Sequence, residues 1–210
     1  KNSIAGVIAI STAEPTPDFS GSFMGSYGSR NAHRLEGTIN APLGDSAAFR
    51  LSLTSSGSDG AMYNFYDDKY YGGHNAFGAR GALRFEPTSS LAITLRADHY
   101  RNTSNPLGPE TLLGDDPQVP PPRPIIAPGP FTTNDDTVPD HGVQFDGVSG
   151  TVVYDHPSGV RFTSITALRR NEQRVFESND ASPINAIEIN WFNRQEQFSQ
   201  EFRINGGTDR

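Results

Sequence analysis

The stretch His33-Arg34-Leu35-Glu36-Gly37-Thr38-Ile39-Asn40-Ala41, then Pro42-Leu43-Gly44-Asp45, then Phe49-Arg50-Leu51-Ser52-Leu53-Thr54, decides the fold class. Leu35, Gly37 and Ile39 alternate with Arg34, Glu36, Thr38 and Asn40. Phe49, Leu51 and Leu53 alternate with Arg50, Ser52 and Thr54. A two-residue period places the two sets on opposite faces of a β-strand. The Pro-Leu-Gly-Asp run between them is a tight turn. The unit is an antiparallel pair of strands with one apolar and one polar face.

The same unit repeats outward along the chain. Phe19, Gly21, Phe23, Gly25 and Tyr27 alternate with Ser20, Ser22, Met24 and Ser26. Phe77 to Phe85 alternate with Arg80, Ala82 and Arg84. Leu91, Ile93 and Leu95 alternate with Thr94, Arg96 and Asp98. Residues 143–154, 160–174 and 191–204 read as further strands, the first two with weaker alternation. The chain is predicted to be all-β, with about eight antiparallel strands.

Connection lengths add a second signal. Short turns fall at about 43–46, 87–90, 156–159 and 205–208, and long connections at about 57–73, 104–140 and 177–190. Successive connections of an antiparallel meander lie at opposite ends of the sheet. One end is therefore trimmed and the other elaborated, as in membrane barrels with short turns on one side and long loops on the other. In such a barrel Arg50, Arg80, Arg84, Arg96 and Asp98 would face a wet lumen, while Leu, Ile and Phe face lipid. On periodicity alone, a soluble antiparallel sheet with one solvated face is the alternative.

Composition limits the function classes. The 210 residues suffice for one large domain or two small ones, and only 34% are hydrophobic. The 21 glycines, 16 prolines and 10% aromatic content suit strands and loops better than a helical bundle. Net charge is -7, without a Lys/Arg run, so no nucleic-acid partner is expected. The absence of Cys excludes disulfides, thiolate metal sites and Cys catalysis. No run of about 18 apolar residues is present, which excludes a membrane-spanning helix but not spanning strands.

Three segments resemble the TonB-dependent outer-membrane receptors, in that family's order. Lys1-Asn2-Ser3-Ile4-Ala5-Gly6-Val7-Ile8-Ala9-Ile10-Ser11-Thr12 is similar to the end of the receptor plug, with Ala5 where Gly is usual. Asn40 to Asp45, continuing to Phe49-Arg50-Leu51, is similar to the first periplasmic turn of the barrel, with Ala41 in place of Gly. Phe198-Ser199-Gln200-Glu201-Phe202-Arg203 is similar to a strand motif further along such barrels. The resemblance covers essentially the whole chain. It implies that residues 1–17 are the C-terminal end of a plug and 18–210 the N-terminal part of a transmembrane barrel. The chain opens on Lys1 rather than Met, so it is expected to be a fragment, with the TonB box and most of the plug upstream.

The resemblance further implies a bacterial outer-membrane location and active import of a scarce nutrient. A ferric siderophore or similar iron complex leads the candidates, ahead of a vitamin or glycan. The implied partners are the TonB-type energy-coupling complex, a small-molecule ligand such as a metal chelate, and the lipid bilayer. A secreted or surface β-rich binding module, such as a lectin-like sandwich, and a plug-less porin are the alternatives. No cofactor is expected, and no phosphate loop, paired-carboxylate or nucleophile motif points to an enzyme.

Candidate ligand contacts are the tyrosines Tyr63, Tyr66, Tyr70 and Tyr71 in the 57–73 connection, close to Phe65, Asp67, Asp68 and Lys69. Girdle aromatics or loop packing are the plainer roles for them. The pairs Asp98-His99, Asp140-His141 and Asp155-His156 point to opposite strand faces and cannot chelate one metal together. Asp115-Asp116 and Asn134-Asp135-Asp136 lack the spacing of a calcium loop. Pro120-Pro121-Pro122-Arg123-Pro124 reads as a stiff loop.

Overall fold

The computed structural model describes residues 11–106, 129–179, 183, 185 and 187–206. Eight strands form one antiparallel sheet: β1 (Ser20–Tyr27), β2 (His33–Pro42), β3 (Ala47–Ser58), β6 (His74–Thr88), β7 (Leu91–Ser104), β9 (Asp140–Asp155), β10 (Val160–Ser178) and β11 (Glu188–Gly206). Each pairs with the next in sequence, so the sheet is a pure meander with β1 and β11 at its edges. A small second sheet lies within the long connections. It joins β4 (Met62–Asn64), β5 (Lys69–Tyr71) and β8 (Thr132–Thr133). The all-β, eight-stranded reading of the sequence holds. The expected plug strand at residues 4–10 lies outside the described residues, as do Asp115-Asp116 and the Pro120–Pro124 run.

The turns explain the pairing. Gly44 and Gly159 take left-handed backbone (φ of 80° and 82°), which closes the β2–β3 and β9–β10 hairpins tightly. Gly159 N–H donates to the His156 carbonyl at 2.9 Å. Between β6 and β7 the register shifts at Phe85/Thr88, where Glu86-Pro87 bends the strand end. The other connections, 28–32, 59–73, 105–139 and 179–187, all fall at the opposite end of the sheet.

Apart from the shift at Phe85/Thr88, the registers run unbroken across the sheet and sort the strand side chains to a face. One row reads Ser20, Asn40, Arg50, Ala82, Arg96, Ser149, Ala167, Ser199. The adjacent row, on the other face, reads Gly21, Ile39, Leu51, Gly81, Ala97, Val148, Leu168, Phe198. The weak alternation in β9 and β10 has a cause. Small residues such as Gly147, Ser149, Gly150 and Ala167 blur the pattern within a strand, and the rows restore it across strands.

The apolar face is not packed against anything. Leu95, Val148 and Leu168 lie on central strands, yet they are 52%, 53% and 53% exposed. Among the described residues the buried apolar side chains are Ala48, Met62, Tyr71 and Ala76, with Pro15 of the segment that leads into β1. Ala48 and Ala76 belong to the polar face, and Met62 and Tyr71 to the loop sheet. A soluble sandwich would bury its aliphatic rows against a second sheet. Here they form an exposed apolar band with members on all eight strands, a feature that a soluble surface rarely carries.

Candidate functional site: the two sheet faces and the loop sheet

The polar face carries an incoming segment of chain. Residues 11–19 lead into β1 and run against this face. Asn40 on β2 is fully buried and holds them. Its Oδ1 accepts the Thr16 N–H at 3.0 Å. Its Nδ2 donates toward the Thr16 carbonyl at 2.9 Å, the Thr16 hydroxyl at 2.9 Å and the Asp18 carbonyl at 2.6 Å. Pro15 is buried beside them. Arg96 on β7 pairs with the Glu14 carboxylate and reaches Thr151 Oγ1 at 3.4 Å. The Glu14 charge also acts on Arg84.

The five charged residues singled out from the sequence, Arg50, Arg80, Arg84, Arg96 and Asp98, all share this face. The structure joins Arg96 and Asp98 to partners that sequence spacing does not reveal, while Arg84 pairs with Glu86 two residues along its strand at 2.7 Å. Arg80 and Asp98 face each other across β6 and β7. Arg169 on β10 reaches Asp98 Oδ1 at 3.4 Å, past Gly147 on the intervening strand. A Cβ at Gly147 would stand 3.0 Å from the Asp98 carboxylate, so glycine there keeps the gap open. Arg169 and Glu14 were not among the sequence candidates. The signal for Arg169 lies in the cross-strand row, which needs the register, and Glu14 lies in no strand at all.

The apolar band on the other face has a definite slant. Tyr27 shares a row with His33, Gly57, Asn75, Thr103, Gly142, Arg174 and Phe192. On β1 the band reaches Tyr27. On β11 it stops at Phe198, six positions short of Phe192, because Glu196 and Arg194 intervene. A level belt crossing strands that tilt by roughly 35–45° must step along them in this way. Beyond the belt, toward the long connections, the same face turns ionic. His99 Nδ1 meets Asp146 Oδ1 at 2.7 Å, Arg194 meets Glu196 at 2.5 Å, and Arg174 meets Asp140 at 2.8 Å.

The loop sheet is built around a buried asparagine. Asn64 Nδ2 donates to the Asp135 carbonyl at 2.8 Å and Asn64 Oδ1 accepts the Asp135 N–H at 3.0 Å. This pair of hydrogen bonds ties the 59–73 connection to the 105–139 connection. Tyr63 stacks edge-on against Phe65 at 4.9 Å and tilts against Tyr70 at 5.3 Å. Tyr66 and Tyr70 are exposed, whereas Tyr71 is buried. The four tyrosines are thus brought into one hairpin but divide into exposed faces and a structural group.

Tyr71 donates to Asp67 Oδ2 at 2.5 Å. Burial, then that hydrogen bond and the Asp67 charge, push its phenol from 10.0 up to about 12. Tyr63 donates to Asp68 Oδ1 at 2.6 Å, and this hydrogen bond first of all raises its phenol. Since the folded value of Tyr71 is the higher one, its contribution to stability is complete below pH 10 and disappears as pH rises toward about 12. An ultraviolet titration of the phenolates is expected to show Tyr71 ionising only near pH 12, and Asp67→Asn should bring it forward. Gly60 lies against this hairpin, and a Cβ there would fall 1.9 Å from the Tyr71 carbonyl oxygen. Gly60→Ala should therefore displace the hairpin at a local cost of about 2 kcal/mol, read as faster proteolysis within residues 59–73.

The 59–73 connection, the 28–32 turn and the ends of β7 and β9 enclose an open cleft of about 1200 Å³. Arg30, Asp59, Tyr70, His74, Asn105 and Asp140 line it. Among the described residues no group of three or more His, Asp or Glu is placed to hold a metal ion.

This chain has the fold of a barrel segment. It superposes on the ferric yersiniabactin uptake receptor FyuA from Yersinia pestis with a TM-score of 0.72 and 18% sequence identity. The match covers 95% of this chain and 29% of that receptor, so the chain spans less than a third of the receptor's length. No family model and no curated protein matches the sequence. At this identity the likeness concerns the fold, an open eight-stranded portion of a barrel wall.

Proposed function

We propose that the chain is part of an outer-membrane receptor that binds a scarce nutrient outside the cell and imports it with TonB-coupled energy. The observation that carries this reading is the division of the sheet. An unpacked, slanted apolar band occupies one face, and a polar face that accepts incoming chain occupies the other. In the reading, the band meets lipid. The face bearing Arg50, Arg80, Arg84, Arg96 and Asp98 lines the lumen. Residues 1–17 end a plug held there through Glu14 and Thr16, and residues 18–210 begin the barrel.

The long connections would then lie outside the cell, with Tyr63, Tyr66 and Tyr70 presented to the ligand and Tyr71 holding the hairpin. A ferric siderophore or similar iron chelate is the proposed cargo. The fold likeness to a ferric-siderophore uptake receptor supports that choice over a vitamin or glycan. The test is a clean deletion of the complete gene. Growth should fall under iron limitation and recover on complementation, and the protein should fractionate with the outer membrane. Cytosolic fractionation, or a deletion strain indifferent to iron, would refute the reading.

A further inference from the structure

The polar face changes character along the strands. The row Ser52, Arg80, Asp98, Gly147, Arg169, Gln197 is ionic, and Arg96, which holds Glu14, lies one row below it. The next two rows toward the long connections carry no charge from β3 to β11. They read Thr54, Gly78, Tyr100, Phe145, Asn171, Gln195 and then Ser56, Ala76, Asn102, Val143, Gln173, Asn193. Charge returns only at the borders. Arg34 and Glu36 pair with each other on β2. His74 and His141 stand in the row beyond, where His141 meets Glu177 at 2.9 Å.

Two features make this uncharged zone a contact surface. The rings of Tyr100 and Phe145 stack side by side, with centroids 6.2 Å and planes 30° apart, and they are 37% and 38% exposed. Gly78 makes room for the Tyr100 ring, since a Cβ there would stand 3.4 Å from Tyr100 Cδ2 and 2.8 Å from Thr54 Cγ2. Around the rings stand the amides of Asn102, Asn171, Gln173, Asn193 and Gln195. Among the described residues none of these side chains makes a hydrogen bond. The Oδ1 atoms of Asn102 and Asn171 lie against the wall without a donor, so a half-turn of either amide toward a ligand gives up no bond.

Stacked rings offer a flat apolar face, and amides offer donors and acceptors without charge. That combination suits a neutral ring with polar substituents. A charged group placed there gives up hydration without meeting a counter-ion. Position favours the same occupant. Ser58, His74 and Ser104, in the row just beyond, line the outer cleft. Arg96 lies four residues back along β7 from Tyr100, roughly 13 Å at the rise of a strand. The zone thus stands between the cleft and the incoming chain.

We propose that the wall around Tyr100 and Phe145 is a second contact surface for the cargo, taking the uncharged, ring-bearing face of an iron chelate on its way from the cleft to the plug. This inference rests on the receptor reading above and adds a site on the inner wall to the loop tyrosines.

The experiment uses the complete receptor, purified in detergent. Its affinity is measured for two neutral hexadentate iron(III) tris-hydroxamates that differ only in carrying phenyl or methyl groups. The phenyl chelate should bind about two- to tenfold more tightly, the size of one aromatic stacking contact. Tyr100→Ala and Phe145→Ala should each remove most of that preference, and Tyr100→Phe should retain it. Asn102→Ala with Asn171→Ala should weaken both chelates. Arg101→Ala, on the opposite face of the same strand, should change neither affinity. Equal affinity for the two chelates, or a preference that survives Tyr100→Ala and Phe145→Ala, overturns the inference and leaves the receptor reading standing. So does exposure of residues 11–19 to protease in these variants with both affinities unchanged, which would mean that the plug covers the zone. Binding of neither chelate, or of a neutral oligosaccharide in their place, removes the iron-receptor reading and this inference with it. An equal folded fraction of every variant, read from heat-dependent gel mobility, excludes misfolding as the cause.

Discussion

Leu51→Arg should severely impair assembly of the full-length protein in the outer membrane, whereas Thr54→Arg, three residues away, should be tolerated. Leu51 lies mid-band on the apolar face, between Ile39 and Gly81 in its row. Thr54 lies on the opposite face, directly across from Glu36, where an added cation gains a partner. An arginine facing lipid at the midplane of a barrel costs about 2–4 kcal/mol. That is a large fraction of the roughly 5–15 kcal/mol of stability that folded proteins have. The measurement is the folded fraction in outer-membrane preparations, read from the heat-dependent gel mobility of the folded barrel. Equal tolerance of both substitutions would mean that the apolar band does not meet lipid, and the barrel reading would fail with it.

The contrast also shows which parts of this molecule were legible in the sequence. Strand existence and face were legible wherever the rows are chemically clean, as in β2, β3, β6 and β7. Alternation is a local property and needs only neighbouring residues. In β9 and β10 it fades, because glycine, serine and alanine sit on both faces there and carry little hydropathy. Loop parity was legible because it depends only on counting residues between turns. The loop sheet was not, since β4 and β8 pair across about 70 residues through Asn64 and Asp135, a contact with no local signal. The candidate site was legible in part. Four tyrosines within one connection marked the hairpin, but only burial separates Tyr71, which bonds Asp67, from its exposed neighbours. The Arg169–Asp98 and Arg96–Glu14 pairs were invisible because each joins residues about 70 to 80 positions apart.

Asn40 is where those long-range contacts matter most, and its substitution should uncouple residues 11–19 from the barrel wall. The side chain is completely buried and serves a segment that has no strand partner of its own. Asn40→Leu removes one acceptor and two donor hydrogens in a single step. It leaves the Thr16 N–H and the Thr16 and Asp18 carbonyls facing an apolar group. Each hydrogen bond so lost is worth about 0.5–1.5 kcal/mol net, and Thr16 and Asp18 are exposed residues that water can reach, so a loss of roughly 2 kcal/mol in local stability is expected. Asn40→Asp is the sharper variant, because it is isosteric. It keeps an acceptor for Thr16 N–H but turns a second oxygen toward the two carbonyls, replacing attraction by repulsion. Both variants should open residues 11–19 to protease while the barrel itself still resists heat and detergent, and Asn40→Asp should partly recover at low pH, when the carboxyl can donate. The Glu14–Arg96 pair provides the comparison. It is partly exposed, so Glu14→Gln should loosen the same segment by no more than about 1 kcal/mol. If Asn40→Leu left the segment as protected as in the parent protein, the burial of Asn40 would owe nothing to the incoming chain. The polar face would then lose its strongest claim to be the one on which a plug is held.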